Sequence, residues 1–336
     1  MASLEQIKKG LCYLPKDSEQ VVDADEEVFI LYTDLQVQDH QSPTSAMASF
    51  RGLGHVDSHQ DILTVKYLLT NPTANFSAAS ESASSSELPL PARSKPSRRA
   101  RKKRIACAPD VIELEMQIIQ DKTALHSRKG DTGSIVWKAS VDLAFSILQH
   151  ERFPSALHPF LDLTELKNAH VLELGSGTGI LCVALSPFVR NYTCTDLPDL
   201  LPLIHKNLVL NFPEWPQDSN ISLTPLDWVE LQNTSPSNRS RVCNFNFNPV
   251  DLILIVDCIY HPSLIPPLLA TIDYIAIPNV TTVLVVVELR AEDVIRDFLS
   301  YWLNVPAWEI WRIGKGGDAI MKRPYAMWVG MKHTSR

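Results

Sequence analysis

Cysteine is sparse and unpatterned. Cys12, Cys107, Cys182, Cys194, Cys243 and Cys258 include no Cys-x-x-Cys pair, and none stands beside a histidine at zinc-ligand spacing. No resident metal is expected, and the thiols read as reduced, as in a cytosolic or nuclear protein. Long apolar runs are also missing. "LILIV" (252–256) and "VLVVVEL" (283–289) fall far short of the ~20 residues a membrane span needs. The N-terminal "MASLEQIKKG" lacks the apolar centre of a secretory signal, so a soluble intracellular protein without membrane contact is expected. In that setting Asn279-Val-Thr281 is a chance sequon. There is no basic excess either: 31 Lys and Arg face 38 acidic residues, a formal charge of -7, so any basic binding surface must be local.

What is present is enough for a full α/β core and an appendage, since one domain takes ~100–200 residues. The appendage is expected over 1–70. There "EEVFILYTDLQ" (26–36) reads as a strand and "HQDILTVKYLLT" (59–70) as a short helix or strand, a small unit packed on the rest. Residues 71–105 turn to Ser, Ala and Pro and read as a linker. It ends in eight basic residues between Arg93 and Arg104 with no acidic residue among them. A solvated tail, nuclear import and RNA contact are all open for this run.

From 106 to 336 the pattern is that of one domain. "VIELEMQIIQD" (111–121) alternates as a half-buried strand does, and Val141, Leu143, Ala144, Ile147 and Leu148 recur at helical spacing. Strand and helix signals then alternate, which predicts crossover connections and a mostly parallel sheet covered on both faces. The last two strands, "WEIWRIG" and "PYAMWVGMK", have no helix between them and predict a terminal hairpin, hence one antiparallel strand. "LQNTSPSNRSRVCNFNFNPV" (231–250) is a long polar insertion, either disordered or a contact for a protein substrate.

Glycine is scarce as well, yet Gly175, Gly177 and Gly179 fall together in "VLELGSGTGI" (171–180), between a strand and a helix. Such a loop lets a ligand approach the backbone closely. A dinucleotide fold would use G-x-G-x-x-G, and its third glycine position is here Ile180. Glu173, just ahead of the loop, would repel a pyrophosphate and favour a cation. The pair of features points to a zwitterionic sulfonium cofactor. Asp196, ending the next strand about twenty residues on, suits a ribose diol; a turn or helix-cap role is the alternative.

These residues resemble the class I, seven-strand S-adenosylmethionine-dependent methyltransferases, a Rossmann-like α/β fold. Three further motifs narrow the likeness: "DTGSIVWKAS" (131–140), "LDW" (226–228) and "DCIY" (257–260) resemble the protein-lysine methyltransferases of methyltransferase family 16. "LHSRKGDTGSIVWKASV" is most similar to the fungal ribosomal members. The likeness spans roughly Val111 to Lys332. It implies S-adenosyl-L-methionine as cofactor, with Trp137 near it, Gly175, Ser176 and Gly177 against its methionine portion and Glu173 among the residues that bind it. Asp196 would take the ribose, Trp228 would flank the adenine and Val256 would lend backbone to the pocket floor. Trp137 and Trp228 as plain core aromatics stay open.

The implied reaction is methyl transfer to a lysine of a protein, in the fungal case a large-subunit ribosomal protein. A free lysine has pKa ≈ 10.4 and is protonated at neutral pH, so it must lose its proton and be aligned. Asp257, at the carboxyl end of its strand, is expected to orient the ammonium and help remove or hold its proton. Tyr260 is expected to wall the channel and limit how many methyls fit. His261, before Pro262, reads as a surface or capping residue. RNA-base methyltransferases commonly carry an N/D-P-P-Y/F motif where this chain has "DCIYHP", which argues against an RNA acceptor. A methyltransferase of RNA or a small molecule and a non-catalytic adaptor that binds RNA or ribosomes through the basic run are the alternatives. A monomer is the default expectation.

Overall fold

A computed structural model describes residues 7–41, 54–57, 59–71, 110–122, 132–154, 160–217, 219–243, 249–314, 320–321 and 324–334. The basic run Arg93–Arg104 lies outside them.

The strands are β1 (Ile7–Lys9), β2 (Cys12–Leu14), β3 (Glu19–Gln20), β4 (Ile62–Thr70), β5 (Val111–Ile119), β6 (His170–Leu174), β7 (Asn191–Asp196), β8 (Ile221–Pro225), β9 (Leu252–Val256), β10 (Thr282–Glu288), β11 (Trp308–Arg312) and β12 (Tyr325–Lys332). The principal helices are α1 (Ala24–Gln41), α2 (Lys138–Arg152), α3 (Ile180–Leu185), α4 (Leu201–Asn211), α5 (Trp228–Asn233), α6 (Ile265–Ile275) and α7 (Glu292–Leu303).

The central sheet runs β3-β11-β12-β10-β9-β6-β7-β8. Strands β6 to β10 are parallel, and β12 inserts between β10 and β11 antiparallel to both. This is the seven-stranded, mostly parallel sheet with one antiparallel strand that the resemblance implies. It gains an eighth strand, the two-residue β3, too short to carry a pattern of its own. β9 is buried throughout and β10 nearly so, as expected of strands covered on both faces. One apolar core lies between the sheet and α2, α3 and α4; the other lies under α1, α6 and α7.

The expected strand at 26–36 is a helix. Asp23 Oδ1 accepts the Glu26 N–H at 2.9 Å, and Asp25, Glu26 and Glu27 occupy the first turn, where negative charge suits the helix dipole. Its buried positions, Ala24, Val28 and Leu31, then recur at helical spacing, which the run "VFIL" disguises. Buried Glu27 ties α1 to the sheet by accepting the Trp328 Nε1–H at 2.9 Å and pairing with Arg312 at 3.3 Å.

β4 pairs with β5 along its whole length, Ile62 opposite Ile119 and Thr70 opposite Val111. Strict alternation of β4 burial settles the helix-or-strand ambiguity at 59–70. The ribbon packs on α4, where buried Asn207 accepts the Ile119 N–H at 2.7 Å and donates to the Ile119 carbonyl at 3.0 Å. Its far end delivers the chain to the cleft: Gln120 Oε1 accepts the Val136 N–H at 2.8 Å, one residue before Trp137. Among the described residues no helix is long and apolar enough to cross a membrane.

Candidate active site

The carboxyl ends of β6, β7 and β9 open into a cleft of about 890 Å³, counting its solvent-open mouth. Ligands of open α/β sheets bind at this edge. β6 ends in the glycine loop, with Gly175, Gly177 and Gly179 all in the left-handed region at φ 72°, 56° and 78°. Space forbids side chains here too. A Cβ on Gly175 would stand 2.7 Å from Cys258 Sγ, and one on Gly177 would stand 3.1 Å from the Gly133 carbonyl.

The loop is fastened from β7. Gly175 and Ser176 donate their N–H groups to the Thr195 carbonyl at 3.1 and 3.0 Å, and Ser176 Oγ accepts the Thr195 N–H at 3.1 Å. Asp196 Oδ2 accepts the Gly177 N–H at 2.7 Å, and its Oδ1 accepts the Leu197 N–H at 2.8 Å. Asp196 is therefore both a loop anchor and a carboxylate on the cleft wall.

Trp228 stands at the start of α5, which Asp227 caps by accepting the Val229 and Glu230 N–H groups. Its six-membered ring lies 3.5 Å from where a Gly175 Cβ would be, so it flanks the loop as one wall. Trp137 forms another; its Nε1–H donates to the Thr132 carbonyl at 2.7 Å. Val256, Asp257 and Tyr260 complete the set on β9 and the segment after it.

Every residue expected to meet the cofactor or the acceptor lines this cleft except Glu173. Glu173 lies buried behind the loop, and its carboxyl accepts the Tyr192 hydroxyl at 2.9 Å. Burial, reinforced by nearby Asp196 and only partly offset by the hydrogen bonds, pushes its pKa up to about 8. A carboxyl so placed is mostly neutral at pH 7, so the negative charge expected to greet a cation is not available from Glu173.

Asp257 also departs from expectation. Its side chain is only 3% exposed, and Arg290 grips it bidentately, Nη1 to Oδ1 at 2.8 Å and Nη2 to Oδ2 at 2.6 Å. The Glu288 N–H adds a longer bond of 3.3 Å to Oδ1. Both oxygens are thus already engaged by donors, which holds the carboxylate in place. Asp257 keeps a left-handed backbone, φ 59°, rare for a side-chain-bearing residue and of the kind that concentrates at functional sites.

Arg290 escaped the sequence reading. It is opposed by burial, but the Asp257 and Glu288 carboxylates outweigh this and hold its pKa above the ordinary value. Its guanidinium also sits 5.3 Å from the centre of the Trp137 ring. His261 does cap: its Nδ1 accepts the Ser263 N–H at 3.3 Å. Cys258 is buried beneath the loop with its thiol directed at the Leu174 carbonyl, 3.3 Å away, and burial raises its pKa well above the usual thiol range. Of the polar insertion, Arg239–Val242 forms a helical turn with Arg239 5.8 Å from the Tyr274 ring centre, while 244–248 lie outside the described residues.

The family model described as lysine methyltransferase matches residues 118–301, just over half of the chain. A Schizosaccharomyces pombe protein named diaminohydroxyphosphoribosylamino-pyrimidine deaminase is 32% identical over 188 residues, 55% of this chain and 41% of its own length. The ribosomal lysine N-methyltransferase 5 of Kluyveromyces lactis is 26% identical over 235 residues, covering 57% of this chain and 72% of that protein. The protein N-lysine methyltransferase METTL21A of Danio rerio is 27% identical over 161 residues, covering 47% and 62%. The chain thus spans about two-fifths of the first of these relatives and between three-fifths and three-quarters of the other two.

Proposed function

The chain belongs to the lysine methyltransferase family, and on that premise we propose that it is an S-adenosylmethionine-dependent protein-lysine N-methyltransferase whose acceptor is a large-subunit ribosomal protein. One observation carries the reading: the glycine loop, Asp196 and Trp228 share a single cleft with Asp257 and Tyr260. A site for an adenosyl cofactor and a site for a cationic acceptor then meet at one point.

The donor set fits such a cofactor. The cradle at Gly175 and Gly177, which a Cβ would fill, admits the methionine portion, and Asp196 offers oxygens to a ribose diol. Trp228, Val256 and Trp137 all line the cleft, where Trp228 would cover an adenine, Val256 would close the floor and Trp137 would wall the methyl end. The cofactor, when bound, would supply an activated sulfonium methyl, whose carbon an amine lone pair can attack with the neutral thioether S-adenosylhomocysteine leaving, so that neither metal nor covalent intermediate is required.

The protein's work is therefore on the acceptor. Asp257 attracts and orients the lysine ammonium, and a channel walled by Tyr260 and Trp137 strips its water. Desolvation lowers an amine's pKa, and the proton it sheds passes to water at the solvent-open mouth of the cleft, so no free carboxylate base is required. An acceptor on the ribosome implies work in the cytoplasm, and the run Arg93–Arg104 is suited to neighbouring RNA phosphates.

The test is incubation of the purified chain with labelled S-adenosylmethionine and ribosomes from cells that lack it, beside an Asp257→Ala control. A labelled protein band absent with the control supports the reading, and mass spectrometry then identifies the lysine. Label in RNA overturns the protein acceptor. Cofactor binding without any label raises the adaptor in its place.

A further inference from the structure

Three neighbouring side chains behind the cleft form one charged unit. Arg290 lies between Asp257, which it grips through both nitrogens, and Glu288, whose Oε2 accepts from Nη2 at 2.9 Å. Asp257 and Glu288 are 3% and 12% exposed. Two carboxylates and one guanidinium leave a formal charge of -1, so an incoming ammonium would bring the unit to neutrality.

The geometry of the unit is fixed from outside. A Cβ on Gly54 would fall 2.1 Å from Arg290 Nη2 and 2.6 Å from Glu288 Oε2, so the backbone at Gly54 lies directly against the ion pair. That strip is pinned to the Trp137 segment: the Gly54 carbonyl accepts the Lys138 N–H at 2.8 Å, and the Val56 N–H donates to the Val136 carbonyl at 3.0 Å. The guanidinium carbon also lies 5.3 Å from the centre of the Trp137 ring. Arg290 is held on several sides while Asp257 stays on the cleft wall.

We infer that Arg290 is a positioning residue for the acceptor amine: its two-point grip aims the Asp257 carboxylate at the place where methyl and amine meet, and Glu288 supplies the charge that the amine balances. This rests on the function proposed above. A planar fork fixes the plane of a carboxylate, which a lysine at 290 could not do, since an ammonium is a single point of charge. If Arg290 instead competed with the amine for Asp257, its removal would strengthen amine binding. The two roles have opposite signs.

Binding can separate them without any protein acceptor. S-adenosylhomocysteine and sinefungin, its analogue with a primary amine where the methyl is carried, are titrated calorimetrically into the full chain and its variants at pH 7. The wild type is expected to prefer sinefungin by tenfold or more. Arg290→Met should bring that preference close to one while leaving S-adenosylhomocysteine affinity within about threefold, and Arg290→Lys should recover only part. In an Asp257→Asn background, Arg290→Met should change nothing further. An unchanged or larger preference in Arg290→Met, equal loss of both ligands, or no preference in the wild type each overturns the inference. Failure to label protein with methyl, read in the separate assay, overturns the protein-lysine reading instead. Thermal melting of each variant with S-adenosylhomocysteine identifies any that do not fold, and Arg290→Lys, which keeps stem and charge, then carries the comparison.

Discussion

Asp196 Oδ2 lies 2.7 Å from the Gly177 nitrogen, so the carboxylate that ends β7 holds the glycine loop while facing the cleft. Removing it takes away a ligand acceptor and an anchor together. Charge-assisted hydrogen bonds contribute ~1.5–3 kcal/mol, so Asp196→Ala should weaken S-adenosylhomocysteine binding by roughly 10- to 100-fold. Asp196→Asn, which keeps one acceptor oxygen, should lose less. Calorimetric titration measures both; equal affinity for wild type and Asp196→Ala would remove Asp196 from the cofactor site.

Glu173 gives the protein a pH dependence of unusual sign. Its folded pKa is about 8 against an ordinary 4.5, chiefly through burial. Between those values the folded chain holds a proton that the unfolded chain has released, so stability falls as pH rises through the window. Below it and above it this group contributes no slope. Glu173→Gln keeps an acceptor for the Tyr192 hydroxyl and cannot ionise. Its stability should match the wild type near pH 4.5 and gain on it up to pH 8, by an amount on the order of a few kcal/mol, read as a growing difference in melting temperature. Parallel melting curves across that range would show that Glu173 does not titrate there.

The parts of the site that could be read in advance are local. A glycine loop between a strand and a helix, an acidic residue at the next strand end and "DCIY" after "LILIV" each announce themselves within ten residues, and the parallel sheet puts all their ends on one edge. Arg290 had no such signal. It reaches Asp257 across 33 positions of sequence, and Gly54 reaches Arg290 from across the low-complexity stretch, contacts that only the folded sheet creates. Helix α1 failed for another reason. In "EEVFILYTDLQ" four apolar residues in a row fit either period, and the deciding signal, Asp23 followed by an acidic turn, lies at the edge of the run. Glu173 was found by position but misjudged in charge, because sequence shows proximity to the loop and not the depth of burial.

Gly54 is the weak point of the strip that covers Arg290. Its φ is 83°, where an L side chain costs about 1–2 kcal/mol, and its Cβ would collide with Arg290 and Glu288. Gly54→Ala should therefore lower the melting temperature by a few degrees and, by displacing the guanidinium, reduce methyl transfer by more than it reduces cofactor affinity. Single-turnover rates beside calorimetry test the split. A loss confined to cofactor affinity would mean that the strip serves the cofactor and not the ion pair.

Tyr260 tests the acceptor side alone. It stands on the cleft wall with 40% of its surface exposed, at the mouth and not beneath the loop, so truncating it disturbs little packing. On the function proposed above, a ring at that place would narrow the opening through which a lysine side chain reaches the methyl. Each methyl added widens the amine, so a narrow opening halts the series early and a wider one lets it proceed. Tyr260→Ala should consequently leave S-adenosylhomocysteine affinity within about threefold, slow the first transfer through looser alignment by roughly tenfold or more, and shift the product towards higher methylation states. Tyr260→Phe, with the ring retained, should keep the wild-type product. Intact-mass analysis of the modified substrate resolves the methyl count at each time point. If Tyr260→Ala yields the wild-type distribution at full conversion, the limit on methylation lies elsewhere in the cleft, and Trp137, which also lines it, is the next residue to truncate.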